Sequence, residues 1–151
     1  MEMAGDFLIR EVKKQELQRV AEIWLAANLD AHDFIPEAYW RDHLEMVREL
    51  LAKAWICVCE EEGKVLGFLG MNGDHIEGIF VEKSQRGRGI GKLLLDYVKG
   101  FKKKLELHVY EKNSRAVRFS QREKFWISSE GIDEDTGEKE YCMLYNETTE
   151  Y

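Results

Sequence analysis

Short apolar runs alternate with amphipathic stretches along the chain. Residues 7–12, F-L-I-R-E-V, make a β-favouring run. Over residues 13–27 the apolar positions Leu17, Val20, Ala21, Trp24 and Leu25 recur at helical spacing, which predicts an amphipathic helix. A second helix is expected to start at Asp33 or at Pro36, the only proline, and to run on through Leu44, Val47, Leu50 and Leu51. Residues 54–60, 65–71 and 75–81 read as three successive strands, with E-E-G-K and N-G-D between them as turn signals. After a glycine-rich turn, Leu93, Leu94, Leu95, Tyr97 and Val98 form a helical stripe that leaves Lys92, Asp96 and Lys99 outside it. Residues 105–110 predict a fifth strand, and 113–124 a short helix with Ala116, Val117 and Phe119 as its apolar positions. Closing strands are expected at 125–128 and 141–145, joined by the polar D-E-D-T-G-E-K-E as a long hairpin.

The order β-α-α-β-β-β-α-β-α-β-β implies an α+β (mixed α/β) fold. Its centre should be a twisted, mostly antiparallel sheet of about seven strands, with helices on both faces. The helix between the fourth and fifth strands makes a right-handed crossover, so those two strands form the one parallel pair. Strict alternation along the fourth strand would put residues 75 and 77 on one face, together with 79 and 81.

Composition narrows the class. At 151 residues, the whole of 1–151 is expected to be one domain. Hydrophobic content of 44% with 34% charged residues fits a globular protein with its own core. No apolar run approaches the ~20 residues of a membrane span, and M-E-M-A-G-D-F has no basic stretch ahead of an apolar core, so no secretory leader is expected. A net charge of −7 argues against a general nucleic-acid binder, which needs a basic face. Cys57, Cys59 and Cys142 have no framework spacing, which points to reduced thiols and a cytoplasmic setting. No histidine pair accompanies C-x-C, so no metal is expected.

The chemistry concentrates between Ile79 and Val98. A strand enters a turn with Gly87, Gly89 and Gly91, and a helix leaves it. Unpaired N–H groups at a helix start converge on one point and the helix dipole favours an anion there, so a phosphate can bind. Arg86, Arg88 and Lys92 add cationic side chains. A dinucleotide fingerprint requires G-x-G-x-x-G, and a Walker A loop requires Lys followed by Ser or Thr. Here the glycine spacing is wrong for the first, and Gly91-Lys92 is followed by Leu93.

What does match is R-x-x-G-x-G, in Arg86, Gly89 and Gly91, behind the strand Gly78-Ile79-Phe80-Val81. Downstream, Val109-Tyr110-Glu111-Lys112-Asn113 with Ala116-Val117-Arg118-Phe119 continues the pattern. Over nearly its whole length the chain resembles the GNAT superfamily of N-acetyltransferases, and A-H-D-F-I-P-E-A-Y-W resembles a bacterial subgroup that includes protein lysine acetyltransferases. The resemblance implies acetyl-CoA as co-substrate, with the amides of Arg86, Gly87, Arg88, Gly89, Ile90 and Gly91, beside Lys92, holding its pyrophosphate. It further implies that the backbone at Phe80 and Val81 pairs with the pantetheine arm, and that Asn113 contacts the cofactor or caps its helix.

An acceptor amine with a pKa near 10.4 must lose a proton before attack. Glu77 is the expected base, with His75 and His108 as rivals. The family usually protonates the leaving thiolate with a tyrosine, but this chain has Phe119-Ser120, and Lys124-Phe125 where G-F is common. Ser120 through a water, or Tyr110 or Tyr145, would then take the acid role. His32, Phe34, Tyr39 and Trp40 are expected on the substrate side, with His75. The implied partner is an amine-bearing small molecule or a protein lysine, attacked directly in a ternary complex by a monomer or homodimer. The rival reading is an acyl-CoA-binding module with little catalysis.

Overall fold

The computed structural model describes residues 6–147. Residues 1–5, on which the absence of a leader was read, and 148–151 lie outside the described residues. Strand β1 (Leu8–Glu11) leads through a 3-10 turn into α1 (Leu17–Ala31). The expected second helix is two, α2 (Glu37–Asp42) and α3 (Leu44–Leu51), starting after Pro36. They are divided at His43, whose backbone N–H bonds the Tyr39 C=O at 3.2 Å while its Nδ1–H donates to the same oxygen at 2.6 Å. Strands β2 (Trp55–Glu61), β3 (Lys64–Asn72) and β4 (His75–Val81) follow as a meander. After them come α4 (Ile90–Lys99), β5 (Lys104–Tyr110), α5 (Ser114–Arg122), β6 (Trp126–Ile132) and β7 (Lys139–Asn146). The closing strands are longer than their apolar residues suggest, because exposed β6 is an edge strand joined by backbone pairing to β7.

The seven strands form one sheet in the order β1-β2-β3-β4-β5-β7-β6, antiparallel except for β4 with β5. Two cores sandwich it. Val20, Ala21 and Ile23 of α1 meet Ile56, Val58, Val65 and Phe68 on one face. Ile90, Leu94, Leu95 and Val98 of α4 meet Cys57, Leu69, Ile76, Leu107 and Met143 on the other. Cys57 and Cys59 share that second face as the strand period requires, and burial pushes their thiols up to about 12 and about 11. Among the described residues no helix is long and apolar enough to cross a membrane.

Strand β4 departs from simple alternation. Gly70 of β3 pairs with Gly78, but the next residue, Met71, pairs with Ile76, so Glu77 is an extra residue in a β-bulge. Ile79 and Val81 therefore pack with Ile76 on the α4 face, while Phe80 turns to the α1 face. Glu77 does not share a face with Ile79 and Val81, because the bulge resets the side-chain period. Phe80 folds its ring over Gly78, where a Cβ would meet ring carbons at 2.3 Å.

The end of α5 explains one departure from the family pattern. Phe125 N–H bonds Ser120 C=O (2.9 Å) and Lys124 N–H bonds Gln121 C=O (3.0 Å), the pair of bonds that defines a Schellman motif. Lys124 occupies its left-handed position with φ of 78°, where glycine is favoured. We expect Lys124→Gly to relieve about 0.5–1 kcal/mol of strain, net of the freer unfolded chain, raising Tm by roughly 1–4 °C. Calorimetry on the two proteins checks this.

Candidate active site

Strands β4 and β5 pair only at His75 with Glu106 and at Ile76 with Leu107. Beyond the bulge they part, and a cleft of about 290 Å³ opens between them. Its walls include Gly78, Ile79 and Phe80 from β4, and His108, Val109 and Tyr110 from β5. Helix α5 contributes Ala116, Phe119 and Ser120, and α1 contributes Trp24, Asn28 and its capping His32. The β5-facing backbone of β4 from Glu77 onward thus has no strand partner among the described residues and is open to an extended ligand.

The glycine-rich turn lies directly after β4. Gly87 and Gly89 have φ of 84° and 80°, which a side chain would strain. Gly89 is the N-cap of α4 and offers no side-chain oxygen, and the helix's first backbone bond runs from Leu93 N–H to Gly89 C=O. The N–H groups of Ile90, Gly91 and Lys92 precede that bond and remain available. The three cations lie to the side, each in an ion pair: Arg86 with Asp30 of α1 (2.6 Å), Arg88 with Glu61 of β2 (2.9 Å), and Lys92 with Asp96 and Glu123 (both 3.3 Å). The positive character at the helix start is therefore carried mainly by the backbone.

A directed chain of hydrogen bonds crosses the cleft. Ala116 N–H donates to Asn113 Oδ1 (3.2 Å), and Asn113 Nδ2–H donates to His32 Nε2 (3.1 Å). His32 Nδ1–H donates to Asn28 Oδ1 (3.0 Å), and Asn28 Nδ2–H donates to Trp24 C=O (2.8 Å). Each donor meets an acceptor only if His32 is neutral, with its proton on Nδ1. Burial agrees and pulls His32 down to about 4. Its ring stacks on Trp40 (5.3 Å between centroids) and meets Phe34 and Tyr110 edge-on. Asn113 caps α5 and bonds His32 at once.

Tyr110 donates its hydroxyl to Asp133 Oδ2 at 2.6 Å. Burial, then this bond, raise its phenol above the usual range, so it is a weaker acid than a free tyrosine. Tyr145 sits outside the cleft lining, against Phe125 and under the Lys99 ammonium. Ser120 is buried on the cleft wall. Glu77 also lines the cleft, is largely exposed, and lies 4.0 Å from His75 Nε2. Phe34, under the Lys112 ammonium, completes the aromatic group at the α1 end. The sequence expectations omitted Asn28 and Trp24. Asn28 leaves a trace: it is a polar residue in the apolar stripe of α1, four positions after Trp24 and four before His32, and it is 3% exposed.

The family described as acetyltransferase (GNAT) matches residues 17–125. A peptidyl-lysine N-acetyltransferase of Escherichia coli strain K12, YiaC, is 42% identical over 122 residues, covering 80% of this chain and 84% of that one. The solution structure of apo-form YjaB from Escherichia coli superposes with a TM-score of 0.83 at 24% identity, covering 94% of this chain and 99% of that one. The PaiA N-acetyltransferase of Thermoplasma acidophilum in complex with coenzyme A reaches 0.77 at 15% identity, covering 93% and 98%.

Because the fold lowers the His32 pKa from 6.5 to about 4, the unfolded chain binds more protons between those values. The contribution of His32 is therefore complete above about pH 6.5 and falls away as the pH drops toward 4. Urea unfolding at a series of pH values should show a shallower decline over that window for His32→Gln than for the natural chain.

Proposed function

The chain belongs to the acetyltransferase (GNAT) family and is an acetyl-transferring enzyme; from that premise we propose that it carries the acetyl group of acetyl-CoA to a primary amine, with a protein lysine as the acceptor. The observation that carries this is the parting of β4 from β5, which leaves one free strand edge leading to the start of α4. An extended pantetheine arm adds to that edge as a further strand, through the backbone at Phe80 and Val81. The amides from Gly87 to Lys92 take the pyrophosphate. A strand amide near the bulge polarises the thioester carbonyl, where the negative charge of the tetrahedral intermediate develops.

Glu77, displaced toward the cleft by the bulge, takes the proton of the acceptor ammonium, directly or through a water. Attack by the neutral amine forms the C–N bond, collapse of the intermediate breaks the C–S bond, and the second proton lost from nitrogen passes to the departing sulfur. Ser120 is assigned to the departing sulfur, because the Tyr110 hydroxyl is held by Asp133. A thiolate with a pKa of ~8.5 needs little help to leave, so a weak acid suffices. Tyr110, Phe34, His32 and Trp40 act as a rigid aromatic wall that accepts the aliphatic stem of lysine. The naming of YiaC as a peptidyl-lysine N-acetyltransferase supports the acceptor class. The one-domain reading and, with three free thiols, a cytoplasmic setting belong to the same proposal.

Acetyl transfer from acetyl-CoA, followed over a panel of amines and lysine peptides, tests the reading. Saturable coenzyme A binding without transfer to any acceptor would reduce the protein to a binding module. Glu77→Gln is expected to lower kcat/KM by on the order of 10²-fold at neutral pH, with coenzyme A affinity retained in calorimetry. Gly89→Ala strains the turn and should instead raise KM for acetyl-CoA while leaving the Glu77-dependent pH profile unchanged.

A further inference from the structure

A second cluster of chemically capable side chains lies beside the cleft. Glu106 and His108 project from one face of β5, two residues apart. Cross-strand register puts Cys142 of β7 opposite His108, and His75 of β4 opposite Glu106. Cys142 Sγ–H donates to Glu106 Oε2 (3.2 Å), His75 Nδ1 lies 3.4 Å from Glu106 Oε1, and the two imidazole rings are 5.2 Å apart. One ligand atom each from Glu106, His108 and Cys142 lie within 4.8 Å of one another. Neither the phosphate turn nor the free edge of β4 uses Glu106 or Cys142.

We propose that His75, Glu106, His108 and Cys142 bind a divalent cation of the Zn2+ class. Two imidazoles, a thiolate and a carboxylate form the mixed donor set that tetrahedral Zn2+ takes, and alkaline-earth ions avoid nitrogen and sulfur. Three neighbouring strands supply the ligands, so backbone pairing holds the platform and only side-chain rotamers need adjust. On binding, the Cys142 Sγ–H proton leaves to solvent and the thiolate bonds the metal. Because His108 also lines the cleft, a bound cation takes an imidazole from the acceptor side. Occupancy therefore inhibits acetyl transfer, a consequence that rests on the function proposed above.

Calorimetric titration of the full chain with zinc chloride, with no coenzyme A present to compete through its thiol, tests the site. One Zn2+ per chain with release of a proton is expected. Cys142→Ser and His108→Ala should each weaken binding by at least on the order of 10-fold. Co2+ should give a thiolate charge-transfer band that is lost in Cys142→Ser. Absence of saturable binding, or Cys142→Ser binding zinc as tightly as the natural chain, overturns the site. Zinc inhibition of the natural chain but not of Cys142→Ser supports the regulatory consequence. Binding with equal inhibition of both proteins overturns that consequence and leaves the site intact.

Discussion

The structure depends on how β4 satisfies its backbone on its two sides. Toward β3 it is paired along its whole length apart from the bulge, and toward β5 only at His75 and Ile76. A buried peptide group without a partner costs about 1–3 kcal/mol, so an open edge inside a sheet persists only where water or a ligand can bond it. The bulge at Glu77 and the divergence of β5 meet that condition by opening the cleft. They also turn Glu77 into the cleft, lay Phe80 over Gly78, and direct the end of β4 into the glycine-rich turn. The free edge, the inward turn of Glu77 and the approach to the glycine-rich turn thus share one interruption in strand pairing.

A second constraint stabilises the opposite wall. The Asn113–His32–Asn28 chain ties α5 to α1 across the cleft, and its directionality fixes His32 as a neutral ring. A protonated imidazole would face Asn113 with donor against donor. The aromatic residues stacked on His32 are thereby held without a charge among them, which suits an apolar channel better than an ion-binding one.

Electrostatics divides the site into two regimes. At the turn, arginine and lysine side chains are paired with Asp30, Glu61, Asp96 and Glu123, so the proposed phosphate site would rely on backbone amides whose direction the fold sets. Such partly exposed pairs are individually worth little. Their use is geometric, since they tie the turn to α1, β2 and α5. At the far end of the cleft Glu77 and Glu106 stand beside the His75 imidazole, so the lysine ammonium and the metal ion proposed above would both meet carboxylates there.

The order of elements, the parallel pair and the glycine-rich turn at the start of α4 were legible in the sequence, because strand and helix periods, turn glycines and helix starts are local properties. Asn113 and Ser120 could be placed on their helix for the same reason. The split at His43 left no mark in the apolar spacing, and the length of β6 was not legible because it depends on pairing with a distant strand. The face of Glu77 was misjudged because a bulge is a mismatch between two strands and leaves no mark on either alone. The bond from Tyr110 to Asp133 and the register that gathers His75, Glu106, His108 and Cys142 lie in the same category. Sequence by itself determined which elements form and in what order, apart from the divided second helix. Tertiary structure decided which side chains meet, because hydrogen-bond partners and cross-strand neighbours are set by three-dimensional closure rather than by spacing along the chain.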